Sequence, residues 1–159
     1  MGRADSPPTT NHQQTIIMLT TVERLLFVRR VPIFKELRDD FIVRLASVMD
    51  ELSFPGNYTI FNEGDEGRSL YIVVSGKVKV HIGKQQLAIF PKGESFGEMA
   101  VFDAQPRSAS ATTLEACECL ELTQEQLYEA IDETPEIAVN IIGILSRRIR
   151  ELNDKMNAT

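Results

Sequence analysis

Between residues 52 and 122 the chain keeps starting a strand and is turned before the strand can lengthen. Short runs of β-branched and aromatic residues stand at 58–61 (YTIF), 70–74 (LYIVV) and 87–90 (LAIF). Turn formers separate them: residues 62–67 (NEGDEG), Ser75-Gly76 and Gly83-Lys84. Val78, Val80 and Ile82 alternate with Lys77, Lys79 and His81, the pattern of a half-buried strand. Closely spaced short strands with turn signals between them call for an antiparallel barrel or sandwich.

On either side the period is helical. Thr20-x-x-Glu23 has the form of a capping box, followed by Leu25, Leu26 and Val28, with Pro32 as the stop. A second helix is expected over 39–49, with Phe41, Ile42, Leu45, Val48 and Met49 on one face and Asp39 as its cap. After the strands, Thr123-x-x-Gln126 caps a helix through Leu127, Ala130 and Ile131. Thr134-Pro135 reads as a second start, with Thr134 the cap and Pro135 the first helical residue. Ile137, Ala138, Ile141, Ile142, Leu145, Ile149, Leu152 and Met156 then form a long apolar stripe, with Arg147, Arg148 and Arg150 near its end. Three occupants fit this stripe: the roll itself, a bound ligand, or a second copy of the chain, giving a homodimer through the last helix. Residues 1–15 are polar and carry Pro7-Pro8, and read as a disordered tail.

The chain of 159 residues is long enough for one domain with its own core. Its net charge of -6 argues against a general nucleic-acid or membrane surface. No apolar run spans a membrane and no signal peptide is visible, which points to the cytoplasm. Cys117 and Cys119, alternate residues of an expected strand, face the same side and read as buried thiols. His12 and His81 are the two histidines, too few for a histidine-rich metal site on a β-roll, and His81 is expected on the exposed side of its strand. The acids of residues 62–67 lack the spacing of a calcium loop and read as a solvated turn. No metal, no cofactor and no catalytic set is expected.

One stretch carries chemistry: residues 96–111, FGEMAVFDAQPRSASA. Gly97 lets backbone approach a ligand closely, and the helix start behind it offers free N–H groups and a macrodipole to an anion. Arg107 brings a planar fork that matches phosphate oxygens, before a strand of small residues over 108–111. Glu98 must then face a donor. A sugar hydroxyl beside the phosphate is one; the amide end of a capping box, Ser95-x-x-Glu98, is the other.

Phe96-Gly97-Glu98-Met99-Ala100 followed by Pro106-Arg107-Ser108-Ala109-Ser110-Ala111 resembles the phosphate-binding cassette of cyclic nucleotide-binding domains. These occur in catabolite-activator-type regulators, cyclic-nucleotide-dependent kinases and cyclic-nucleotide-gated channels. The resemblance implies a mainly β fold with flanking helices: an antiparallel β-roll of the jelly-roll kind over about 51–122, with N-terminal helices and two C-terminal helices over about 123–156, in a domain of 16–159. It implies that Gly97, Met99 and Ala100 meet the cyclic phosphate through their backbone. Arg107 and Ser108 would meet it through side chains, Glu98 would hold the ribose 2′-hydroxyl, and Phe96 and Ala109 would flank the site. Val80, Leu87 and Ala88 would line the base pocket, although Val80 as plain core fits equally. Ser108 after the arginine leans towards cAMP over cGMP. The implied role is a sensor without chemistry of its own, part or relative of a larger signalling protein. Two rivals are an interaction module that has lost its ligand and a truncated catabolite-activator-type regulator; before Thr159 there is no room for a helix-turn-helix. Binding of nucleic acid by this chain is not expected, and the downstream effector is not named.

Overall fold

A computed structural model describes residues 9–10 and 19–158. The elements in chain order are β1 (Thr9–Thr10), α1 (Thr21–Arg29), α2 (Asp39–Val48), β2 (Asp50–Phe54), β3 (Thr59–Phe61), β4 (Ser69–Ser75), β5 (Val78–Ile82), β6 (Gln85–Phe90), β7 (Ser95–Phe96), β8 (Ser110–Thr113), β9 (Cys117–Thr123), α3 (Gln124–Glu133) and α4 (Glu136–Asn157). A single 3-10 turn, Glu98–Val101, lies between β7 and β8. Every strand pairing is antiparallel, in two sheets ordered β1-β2-β9-β4-β7 and β3-β8-β5-β6. The fold is the mainly β roll with flanking helices that the family resemblance implies, and its paired antiparallel sheets are of the kind the strand spacing called for.

Alternation along β4 and β9 sorts the core into two layers. Leu70, Ile72, Val74, Leu120 and Leu122 face outward and pack on Val28, Phe34, Ile42, Leu45, Leu127, Ile137 and Ile144 from the helices. Tyr71, Val73, Cys117 and Cys119 face inward, onto Phe54, Tyr58, Val78, Phe96 and Ala111 inside the roll. Both thiols are free and buried, as their spacing indicates. Burying one apolar side chain contributes roughly 1.5–3 kcal/mol, so β4, buried along nearly its whole length, is the central plank of both layers.

The capping boxes Thr20–Glu23 and Thr123–Gln126 form as read from the sequence. Asp39 does not cap α2: Arg38 stands at the cap without a side-chain bond, and Asp39 is the first helical residue, paired with Arg29 at 3.0 Å. The end of α2 is held instead by Arg24, whose Nη1 donates to the Ala46 and Met49 carbonyls at 2.7 and 2.8 Å. At the second C-terminal start the register is one residue later: Pro135 occupies the cap of α4, and Thr134 closes α3 by donating its N–H to the Ala130 carbonyl. The apolar stripe of α4 divides. Ile137, Ile141 and Ile144 are buried on the roll, whereas Ile142, Ile149, Leu152 and Met156 are exposed.

Of the expected tail over 1–15, only Thr9 and Thr10 fall among the described residues, and they pair with Ser53 and Leu52 of β2. The remainder, His12 included, lies outside them. His81 is half-buried rather than exposed: Nδ1 lies 2.8 Å from the Gly83 carbonyl and Nε2 2.8 Å from the Thr112 hydroxyl. Among the described residues no helix is long and apolar enough to cross a membrane, and no cluster of three or more metal-binding side chains occurs.

Candidate functional site

The segment that leaves β7 cannot continue as a strand, because Gly97 takes φ 75°, ψ 21°. The left-handed conformation suits glycine, since a Cβ would meet the following carbonyl. The chain then makes one 3-10 turn, in which the Ala100 N–H donates to the Gly97 carbonyl at 3.2 Å and the Phe102 N–H to the Met99 carbonyl at 3.0 Å. The N–H groups of Glu98 and Met99, leading the turn, have no acceptor within it. Four residues are too few for the macrodipole expected from the sequence; what the turn offers an anion is local N–H groups.

Glu98 does not belong to a capping box. The cap is Gly97, without a side-chain bond, and the Ser95 hydroxyl donates directly to Glu98 Oε1 at 2.8 Å. One hydroxyl fills one of the roughly four lone-pair sites of a carboxylate, so Glu98 retains acceptor capacity on the cavity it lines.

Arg107 is held across the cavity by the turn over 62–67. The Arg107 N–H donates to the Asp65 carbonyl at 2.7 Å, and the Gly64 N–H donates to the Arg107 carbonyl at 2.8 Å. Glu66 and Pro106 form an isolated antiparallel bridge alongside. The acidic turn therefore anchors the arginine backbone, and its Asp65 carboxylate is taken up locally by the Asn62 N–H. Strand β8 begins only at Ser110, so Ser108 and Ala109 stand outside the ladder expected over 108–111.

The Arg107 guanidinium lies 4.1 Å over the centroid of the Phe61 ring, and its Nη2 donates to the Ser69 carbonyl at 2.8 Å. Its Nε–H is buried and has no acceptor among the described residues. Burial pulls the guanidinium below its ordinary pKa range, and the negative charges of Glu121 and Asp65 oppose that pull. Tyr71 stacks on Phe96 with 5.3 Å between ring centroids and hydrogen-bonds Glu121; burial first, then that carboxylate, keeps the phenol protonated.

These groups surround a cavity of about 700 Å³. That is within the roughly 300–1,000 Å³ of small-molecule sites. Phe96, Gly97, Glu98, Met99, Ala100, Arg107, Ser108 and Ala109 all line it, and from the β5–β6 hairpin so do Val80 and Ala88. Leu87 does not. Val80 pairs with Ala88 and His81 with Gln86, so Leu87 is the extra residue of a β-bulge, and its side chain is exposed. No residue of α3 or α4 lines the cavity among the described residues, so the helix that could cover a base stands away from it.

Sequence reasoning missed Phe61, Phe90, Ser95, Asp103, Gln105 and Pro106, which line the same cavity. Asp103, Gln105 and Pro106 lay inside the quoted cassette and carried a positional signal. Phe61 and Phe90 read as ordinary strand aromatics, because their approach to Arg107 and Phe96 depends on how the two sheets face each other.

Residues 51–134, more than half of the chain, match the profile described as cyclic nucleotide-binding domain. The chain is 33% identical over 132 residues to a CRP-like cAMP-activated global transcriptional regulator of Mycobacterium tuberculosis, covering 80% of this chain and 59% of that protein. It is 38% identical over 125 residues to the cyclic AMP receptor protein of Thermus thermophilus, covering 76% of this chain and 58% of that one. It therefore spans about three-fifths of the length of these curated relatives. The crystal structure of the N-terminal domain of a transcriptional regulator from Streptomyces coelicolor A3(2) superposes with a TM-score of 0.76 at 34% identity, covering 84% of this chain and 96% of that one. Fold, profile and relatives agree: the chain belongs to the cyclic nucleotide-binding domain family.

Proposed function

We propose that the cavity binds a cyclic nucleotide, with cAMP preferred over cGMP, and that the protein is a sensor without chemistry of its own. The observation that carries this is Arg107: a half-buried guanidinium lining an open cavity, with a buried N–H that no acceptor among the described residues satisfies. A charge held out of water in that way calls for an anion. In this reading the cyclic phosphate takes Arg107, the Ser108 hydroxyl and the amides that lead the turn at Gly97. Glu98, steadied by Ser95, accepts from the ribose 2′-hydroxyl. The purine lies against Val80, Ala88 and Phe61. Ser108 supports the adenine preference, and so do the names of two relatives, one cAMP-activated and one a cyclic AMP receptor.

Ligand capture is coupled to the C-terminal helices through population shift, which requires the closed arrangement to bind more tightly than the open one. The first half of α4 is fixed by Ile137, Ile141 and Ile144, and Arg147 pairs with Glu36 at 2.8 Å. Arg148 donates to the Pro32 carbonyl, and beyond it the side chains of α4 are exposed, so this end of the helix is the part we expect to respond. Ala138, Ile142, Leu145, Ile149 and Leu152 are spaced alternately four and three residues apart, as a coiled-coil seam requires, which supports a homodimer through α4. The output belongs to a partner or a further domain of a larger cytoplasmic signalling protein.

Titration with cAMP and with cGMP, followed by thermal unfolding, tests the reading. A ligand that binds only the folded state stabilises it by about 2.7 kcal/mol at a hundredfold excess over Kd. Stabilisation by cAMP at lower concentration than by cGMP is expected. Silence with both would leave the interaction-module alternative.

A further inference from the structure

Gly67 lies in the acidic turn, outside the cassette, yet its environment is set by Arg107. A Cβ built on Gly67 would fall 2.6 Å from Arg107 Nε, 2.8 Å from Cδ and 2.9 Å from Cζ. Real Cβ atoms essentially never approach that closely. The backbone offers no other reason for glycine there. Gly64, Gly76, Gly83, Gly93 and Gly97 all have positive φ; Gly67 does not. The missing side chain at 67 is therefore space, and the space is filled by the guanidinium.

The opposite wall is Phe61, whose ring face lies 4.1 Å from the guanidinium carbon, within the roughly 6 Å reach of a cation–π contact. Phe61 is itself braced by Tyr71 and Phe96, at 6.1 and 6.0 Å between centroids. On a third side, a Cβ on Gly97 would fall 2.6 Å from Nη1. The Ser69 carbonyl takes Nη2 at 2.8 Å. The side chain is thus confined on its flat face and along its edge before any ligand arrives.

We propose that Gly67 and Phe61 are positioning residues for Arg107: together they form a seat that holds the guanidinium in its phosphate-facing pose in the empty protein. This rests on the reading of Arg107 as the phosphate partner. Pre-setting a long flexible side chain lowers the ordering cost of binding. A methyl group at 67 unseats Arg107 without straining the backbone, because the atoms it meets are the movable end of a side chain.

The test uses Gly67→Ala, Phe61→Leu and Phe61→Tyr in the full chain, with two readouts. In the ligand-free protein the Arg107 Nε–H NMR resonance, identified by its loss in Arg107→Ala, should carry the upfield ring-current shift of the Phe61 face. Gly67→Ala and Phe61→Leu should abolish that shift and Phe61→Tyr should keep it. By calorimetry, Gly67→Ala should weaken cAMP binding on the order of 10- to 100-fold, the scale on which an ångström of misplacement registers. In an Arg107→Ala background the same change should cost nothing further, since the two act through one group. Gly67→Ala should unfold no earlier than the parent. An unshifted resonance in the parent, a resonance unmoved by Gly67→Ala, or an equal affinity loss in both backgrounds overturns the seat. If the parent binds no cyclic nucleotide, the binding reading falls, and the resonance alone decides the seat.

Discussion

Replacing Arg107 with alanine separates a binding role from a structural one, because the structure gives opposite magnitudes for the two. In the empty protein the guanidinium contributes one charge-assisted bond to the Ser69 carbonyl and one stacking contact with Phe61. These are worth roughly 1.5–3 and 0.5–1 kcal/mol. Against them stand the desolvation that lowers its pKa and a buried Nε–H without an acceptor, itself a cost of about 1–3 kcal/mol. The contributions nearly cancel, so folding stability should change by no more than about 1–2 kcal/mol in either direction. Binding has no such cancellation. A phosphate placed in the cavity without its partner is desolvated and unpaired, at a cost of about 2–5 kcal/mol. At 1.4 kcal/mol per decade that is roughly 30- to 4,000-fold in Kd. Calorimetry gives the affinity and denaturant titration the stability, on the same preparations. Arg107→Lys should recover part of the loss, since the charge remains and the fork does not. Affinity within threefold of the parent, or a stability loss that accounts for the whole binding defect, would refute the reasoning.

Glu98→Gln should leave stability within about 0.5 kcal/mol of the parent, since no cap depends on it. It should weaken cAMP binding roughly 3- to 10-fold and leave the 2′-deoxy analogue unaffected, a comparison competition titration can make. Cys117 and Cys119 should resist iodoacetamide in the native protein at about pH 8, because burial holds both thiols above their usual range; mass spectrometry should find label only after denaturation. Ile149→Glu, on an exposed position of α4, should leave the unfolding midpoint unchanged and convert a dimer to a monomer by sedimentation velocity; a monomeric parent would remove the seam.

What the sequence made legible was local or periodic. The two-residue spacing of Cys117 and Cys119 put both thiols on one buried face, and the Thr20 and Thr123 boxes assigned two helix starts, because each signal is complete within a few residues. The Gly97–Glu98 and Pro106–Arg107 pairs located the cavity for the same reason. Features set by tertiary geometry were not legible. Glu98 and Ser95 have capping-box spacing, yet the left-handed Gly97 ends that option and redirects Ser95 onto the carboxylate. Leu87 left the pocket through a bulge that shifts β6 by one residue against β5. The stripe of α4 read as one face, but of its members Ile137 and Ile141 are buried in the core with Ile144, which lay outside the stripe, Leu145 packs at the edge, and Ile142, Ile149, Leu152 and Met156 are exposed. Phe61 and Gly67 lie far from Arg107 in the chain, and the pairing of β3 with β8, the Glu66–Pro106 bridge and the backbone bonds from the 62–67 turn to Gln105 and Arg107 bring them together.

A crystal structure of the protein soaked with cAMP tests the central claim most directly. The account predicts the cyclic phosphate within hydrogen-bond reach of the Arg107 guanidinium and the leading amides of the 3-10 turn, with the ribose 2′-hydroxyl on Glu98. Nucleotide bound elsewhere, or a filled cavity with the Arg107 guanidinium turned from the phosphate, would contradict it.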